Sequence, residues 1–169
     1  MTSSPQSPSP TCGSEVASGL GRIPSGLFVV TWRAGERDHA MLASWVMQAG
    51  FAPPLLSVAV GTSRDLLAAM RSGAPFAVNV LADSQRSLLA RFGKAPADGD
   101  DPFAGLGVDR TPAGVAVLSD AAGWLECRTV GEVAAAGGDH VIVLGRVEAA
   151  AGRPDTPPLI HVRRNGLKY

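Results

Sequence analysis

At 169 residues, 46% of them hydrophobic and 18% charged, the chain has the size and apolar content of one domain with a full core, which excludes a disordered or fibrous class. Its 15 basic and 15 acidic side chains cancel, and without a basic excess or stripe a nucleic-acid binder is excluded as well. Twenty glycines and 13 prolines set between short apolar runs point to a loop-rich β protein, away from a helical bundle.

Residues 1–17 begin MTSSPQSPSPTCGSE, with no basic n-region and no apolar h-region. They are read as a disordered Ser/Pro-rich leader that is not a signal peptide, and the chain is expected to be cytoplasmic. The folded domain is expected over residues 18–169. Leu27 to Arg33 is its first strand, and His39 to Gln48 follows after a short turn as the antiparallel partner. The run from Ala40 to Val60 is long enough to suggest a membrane span, but Pro53, Pro54, Gln48 and Gly50 interrupt it in ways lipid does not compensate. Two buried strands joined by a turn at Gly50 to Pro54 are expected instead. The first, Met41 to Gln48, is apolar on both faces and needs a helix, a subunit or a flat ligand over its second face.

Gly61-Thr62-Ser63-Arg64-Asp65 then opens a helix over Leu66 to Arg71, with Thr62 or Ser63 as N-cap. A strand end followed by glycine, two hydroxyls, an arginine and free helix amides suits a phosphate group. Taken alone, the same residues suit a plain capped helix with a solvated Arg64 somewhat better, since capped helices with a nearby arginine are common. Pro75 to Leu81 is the fourth strand, and Ser84 to Phe92 a second helix, capped by Asp83 or Ser84 and ended by Gly93. Lys94 to Asp109 is a surface loop anchored by Phe103, its acidic spacing unlike that of a calcium-binding EF-hand. Gly114 to Leu118, Gly123 to Glu132, Asp139 to Ala149 and Leu159 to Arg163 complete a mainly β chain. Seven or eight strands and two helices favour a closed or nearly closed antiparallel barrel. Cys12 and Cys127 are read as free thiols, and no Cys or His spacing suits a metal.

The sequence has no HExxH, no G-x-S-x-G, no P-loop and no strand-coupled G-x-G-x-x-G. Reactivity in such a chain belongs to a bound cofactor that the protein holds and shields. A flavin fits both the two-faced strand and the phosphate-type turn.

Six segments carry a resemblance: MLASWVMQAGFAPP (41–54), PFAVNVL (75–81), DPFAG (101–105), WLEC (124–127), GDH (138–140) and HVRRNGLKY (161–169). In this order they resemble the flavin reductase-like family, whose fold is the FMN-binding split β-barrel, from about Ile23 to Tyr169. AMLASWVMQ resembles most the C-terminal flavin reductase domain of the diflavin flavoproteins. The resemblance implies a Greek-key antiparallel barrel with flanking helices and a homodimer with FMN, or FAD, at or near the subunit interface. It also implies NADH or NADPH as hydride donor to flavin N5, with reduced flavin or electrons passed to a downstream monooxygenase or other acceptor. Leu42, Ala43, Ser44 and Trp45 would line the isoalloxazine or ribityl chain and Gln48 would hydrogen-bond the flavin. Gly61, Thr62, Ser63 and Arg64 would surround the phosphate, and His140 would be the catalytic side chain, facing flavin or nicotinamide. Leu42 and Trp45 depart from the Thr and the Ser or Asn of many two-component reductases, which leaves FMN against FAD open. The diflavin proteins' di-iron and flavodoxin-like domains find no room in 169 residues. An FMN-binding electron-transfer or interaction protein of the same fold is the alternative.

Overall fold

The structure, a computed structural model, describes residues 13–94, 99–164 and 166. It divides into two compact units: residues up to Pro24 with those from His161 onward, and Ser25–Ile160.

In the first unit, α1 (Ser14–Gly21) starts after Gly13 and carries Glu15 in its first turn, where a negative charge suits the helix dipole. The Gly166 N–H donates to the Ala17 carbonyl at 2.9 Å. A Cβ at Gly21 would lie 3.0 Å from the Arg163 carbonyl oxygen, so glycine allows the chain end to pack here. Of the expected leader, residues 1–12 lie outside the described residues. Ser14 to Ala17 are the first half of α1, because Ala17 and Gly21 give the helix a small buried face. Residues 18–24 thus group with the chain end and not with the barrel that follows.

The second unit contains β1 (Ser25–Gly26), β2 (Phe28–Ala34), β3 (Arg37–Ala43), β4 (Val46–Phe51), β5 (Pro54–Gly61), α2 (Asp65–Arg71) and β6 (Phe76–Val80). A 3-10 turn (Asp83–Gln85), α3 (Leu88–Phe92), β7 (Val108–Arg110), β8 (Ala116–Leu118), β9 (Gly123–Ala134) and β10 (His140–Gly152) follow, and β11 (Ile160–His161) stands at its boundary. Seven strands pair antiparallel in the order β3-β2-β6-β9-β10-β5-β4. β3 and β4 are consecutive in sequence yet occupy opposite edges, so the sheet curls until both edges meet at Ser44-Trp45. There the Ala59 N–H donates to the Trp45 carbonyl at 2.9 Å. This is the expected mainly β split barrel. Val30, Trp32, Val58, Val78 and Val143 point into one interior core, joined by Leu66, Leu67 and Met70 of α2.

The second face of β2, β3 and β6 is covered too. Val29, Ala40 and Leu81 pack with Leu88, Phe92, Phe103 and Leu118 in a separate core. Between the layers, the Asn79 amide donates to the Val29 carbonyl at 2.9 Å and its Oδ1 accepts the Leu118 N–H at 2.8 Å. The Thr31 hydroxyl donates to the Ala116 carbonyl at 2.6 Å. Both side chains are fully buried, so these bonds satisfy groups that water cannot reach.

Several expectations change. The single strand His39 to Gln48 is broken at Ser44-Trp45, since one straight strand cannot serve both edges of a curled sheet. Only its β3 half is covered on two faces; in β4, Met47 is 69% and Phe51 88% exposed. α2 has Arg64 as N-cap, not Thr62 or Ser63, and no side chain caps it. The helix Ser84 to Phe92 is divided because the Gln85 side chain turns back to accept the Ala82 N–H at 2.9 Å and closes the first turn on itself. Phe103 anchors its loop as expected, helped by the Arg91 guanidinium, which donates to the Pro102 and Ala104 carbonyls at 2.9 and 2.7 Å. The end of that stretch is strand β7, paired with β8.

Cys127 is buried within β9, and burial, with smaller contributions from Glu126 and Glu148, pushes its thiol up from the usual 9.0 to about 12. The folded state therefore favours the neutral thiol, and the stability this contributes is lost as pH rises from 9.0 towards 12. With Cys12→Ser as background, a thiol reagent at neutral pH is expected to leave native Cys127 unmodified and to label it on denaturation. Labelling of the native protein as fast as a free thiol would contradict this burial.

Candidate functional site

The candidate site forms where three chain segments meet at one end of the barrel: the Ser44-Trp45 corner, the turn after β5, and the start of β10. β5 and β10 are ladder neighbours, with Gly61 directly opposite His140. The turn that leaves β5 is held by backbone bonds, Arg64 N–H to the Gly61 carbonyl at 3.0 Å and Thr62 N–H to the Asp139 carbonyl at 2.9 Å. The Thr62 hydroxyl adds a second bond to the Asp139 carbonyl at 3.3 Å. Thr62 is thereby a brace between strand ends and not a helix cap.

From the β10 side, the His140 ring meets the Trp45 ring edge to face, centroids 4.9 Å apart and planes at 61°. Such a pair contributes on the order of 1 kcal/mol beyond its buried area. His140 Nδ1 lies 2.9 Å from Asp139 Oδ1. The hydrogen bond and charge of His140 hold the Asp139 carboxyl below the usual carboxylate range. A Cβ at Gly61 would stand 3.5 Å from Arg64 Cγ and 3.8 Å from His140 Nε2, so glycine leaves the space between the guanidinium stem and the imidazole open.

Trp45, Gly61, Thr62, Arg64 and His140 therefore come together, with Ser44 and Ser63 next to them in the chain. Three other expected residues stand apart. Leu42 packs with the second core, its Cδ2 near Gly93, and Ala43 is buried in the barrel interior. Gln48 is exposed on β4 opposite Leu56, five β5 residues from Gly61 and roughly 16 Å along the strand. Asp139 carries no role in the sequence reading beyond membership of the Gly-Asp-His motif, the only local signal for it. Among the described residues, no group of three or more His, Cys, Asp or Glu could hold a metal ion, and no helix is long and apolar enough to cross a membrane.

Chemically, the turn offers an exposed guanidinium, the Ser63 hydroxyl and the Asp65 and Leu66 amides, which precede the first bond of α2, from the Leu67 N–H to the Arg64 carbonyl. The Trp45–His140 corner offers aromatic surface and an imidazole nitrogen. An elongated ligand with an anion at one end and a flat ring at the other matches this division.

A family model described as flavin reductase like domain matches residues 20–166. Diflavin flavoprotein A 1 of Synechocystis sp. is 34% identical over 158 residues, 92% of this chain but 27% of that protein. The chain thus spans about a quarter of the length of the curated relatives it matches. SgcE6, an NADH:FAD oxidoreductase of Streptomyces globisporus C-1027, superposes with a TM-score of 0.78 at 27% identity over 86% of this chain and 85% of its own. The same protein in complex with NAD and FAD fragments gives 0.76 at 26%, over 85% and 84%. BorF, the flavin reductase component of a bacterial two-component tryptophan halogenase, gives 0.75 at 27%, over 85% and 89%.

Proposed function

The chain belongs to the flavin reductase-like family, and from that premise we propose that it is an NAD(P)H-dependent flavin reductase working at the Trp45–His140 corner. The carrying observation is the meeting of Arg64, Gly61, Trp45 and His140 from segments up to 95 residues apart, at one end of a fold that reductases share.

The residues fit a flavin. Arg64, Ser63 and the first amides of α2 would hold its phosphate, and the open space at Gly61 leads from there to the aromatic corner. A bound flavin would supply the redox chemistry, taking up hydride at N5 from NADH or NADPH and then either leaving in its reduced form or passing its electrons on. The protein's own residues bind and orient. Ser44 and Trp45 present the wall for the ring, Thr62 keeps the turn fixed against β10, and His140 offers Nε2 towards the Gly61 space for a polar group of flavin or nicotinamide. FMN is the proposed flavin, with FAD as the other candidate, and an oxygenating enzyme is the proposed consumer, by analogy with BorF, the flavin reductase component of a two-component halogenase. Steady oxidation of NADH or NADPH by the purified protein with added FMN or FAD tests this. A rate no higher than the flavin-only blank, for all four combinations, would leave only the alternative of an FMN-binding electron-transfer protein.

We further propose that the working form is a homodimer, because the outward sheet face lacks a cover. Ile142 stands between Ala59 and Val133, and Leu144 between Ser57 and Gly131 with Met47 one strand beyond. Ile142 is 45%, Val133 61% and Met47 69% exposed, a contiguous apolar patch that water disfavours. Sedimentation should give a dimer for the unaltered protein and a dissociation constant at least about tenfold higher for Ile142→Asp. A monomeric unaltered protein would refute the dimer.

A further inference from the structure

Asp139 holds two partners at once. Its backbone carbonyl accepts both bonds from Thr62, and its side chain accepts from His140. A carboxylate is an acceptor only, so the proton of a neutral His140 ring sits on Nδ1 and the lone pair on Nε2. Nε2 is the nitrogen that looks towards the Gly61 space. We infer that Asp139 is a positioning residue: it sets the tautomer and aim of the His140 ring and ties that ring mechanically to the Gly61–Arg64 turn. This rests on the flavin-reductase reading for its consequence in turnover, but not for the tautomer itself.

The geometry favours a role in orientation over one in stability. The Asp139 side chain is 93% exposed while that of His140 is 22% exposed, so the carboxylate lies on the solvent side of the ring and the ring's other edge faces inward, towards Trp45 and Gly61. Removing the carboxylate leaves the Thr62 bonds, which go to the backbone, and leaves the Trp45 contact. What is lost is the preference for Nδ1–H. The intrinsic preference of a neutral imidazole is for the proton on Nε2, and without the carboxylate opposing it that preference would turn the inward nitrogen from an acceptor into a donor.

The test is nitrogen-15 NMR of the histidine ring nitrogens in the full chain without flavin, at a pH where the rings are neutral, with His140→Gln to identify the His140 signals. The protein is expected to show protonated Nδ1 at His140, and Asp139→Ala to shift the proton largely to Nε2 with no change in melting temperature. With flavin added, Asp139→Ala should lower kcat/KM for the nicotinamide about threefold to fivefold, the scale of one exposed charged contact, with flavin affinity unchanged. Protonated Nε2 in the unaltered protein, or a tautomer that Asp139→Ala does not move, would overturn the inference. So would a shifted tautomer with unchanged kcat/KM. An unaltered protein that turns over no nicotinamide refutes the reductase reading, and the tautomer result still decides whether Asp139 positions the ring.

Discussion

Asn79→Leu is expected to lower the free energy of unfolding by about 3 kcal/mol. Leucine matches asparagine closely in volume, so the effect is one of hydrogen bonding and not of a cavity. The Leu118 N–H loses its acceptor at 2.8 Å and the Val29 carbonyl loses a donor at 2.9 Å, both in fully buried surroundings. Each buried group left without a partner costs roughly 1 to 3 kcal/mol. The bond also links layers: it pins β8 to the sheet face that carries β2 and β6, so its loss loosens the cover over the second core. Thr31→Val removes the short bond to the Ala116 carbonyl and two longer contacts at 3.4 Å, one to the Ala77 carbonyl and one from the Asn79 amide, and should cost about 1 kcal/mol. Denaturant unfolding of the three proteins checks this; a loss below about 1 kcal/mol for Asn79→Leu would mean that water or a rearranged strand replaces the amide.

Arg64→Ala should weaken flavin affinity about 10- to 100-fold, corresponding to about 1.5–3 kcal/mol for a hydrogen bond to a charged group. The fold should hardly notice. Arg64 enters the structure through its backbone, its N–H on the Gly61 carbonyl and its carbonyl accepting the Leu67 N–H at 3.0 Å, and alanine keeps both. Its side chain is exposed and makes no ion pair among the described residues. Arg64→Lys should recover part of the affinity, as a point charge without the planar fork. Flavin titration followed by fluorescence, with melting temperature as the control, separates the outcomes. Unchanged affinity would show that the phosphate does not bind at this turn.

The parts of the fold that were legible from residue order are the locally encoded ones. Leu27 to Arg33 and Leu55 to Val60 read as strands through β-branched residues bounded by turn formers, and β2 and β5 coincide with them to within a residue. What local pattern could not disclose was how the sheet closes. The apolar run over 41–48 looks continuous, yet it changes sheet edge at Ser44-Trp45, a consequence of curvature set by all seven strands. For the same reason Leu42 and Trp45, three residues apart, end in different environments, one against the second core and one at the outer corner. Glu126, a carboxylate within a strand, is only 3% exposed, because the segment before β8 folds over it and the Ala113 N–H donates to its carboxylate at 2.9 Å. That a turn follows β5 was legible in its residue types, and attention to His140 came through the family resemblance. The Asp139–His140–Trp45 arrangement was not, since it depends on Gly61 and His140 being opposite each other on paired strands.

A crystal structure grown with saturating FMN tests the central claim most directly. The flavin ring is expected against the Ser44-Trp45 corner beside His140, with its phosphate within hydrogen-bonding distance of the Arg64 guanidinium or Ser63. Flavin bound elsewhere on the barrel, or none bound at saturation with the Trp45–His140 contact undisturbed, would contradict it.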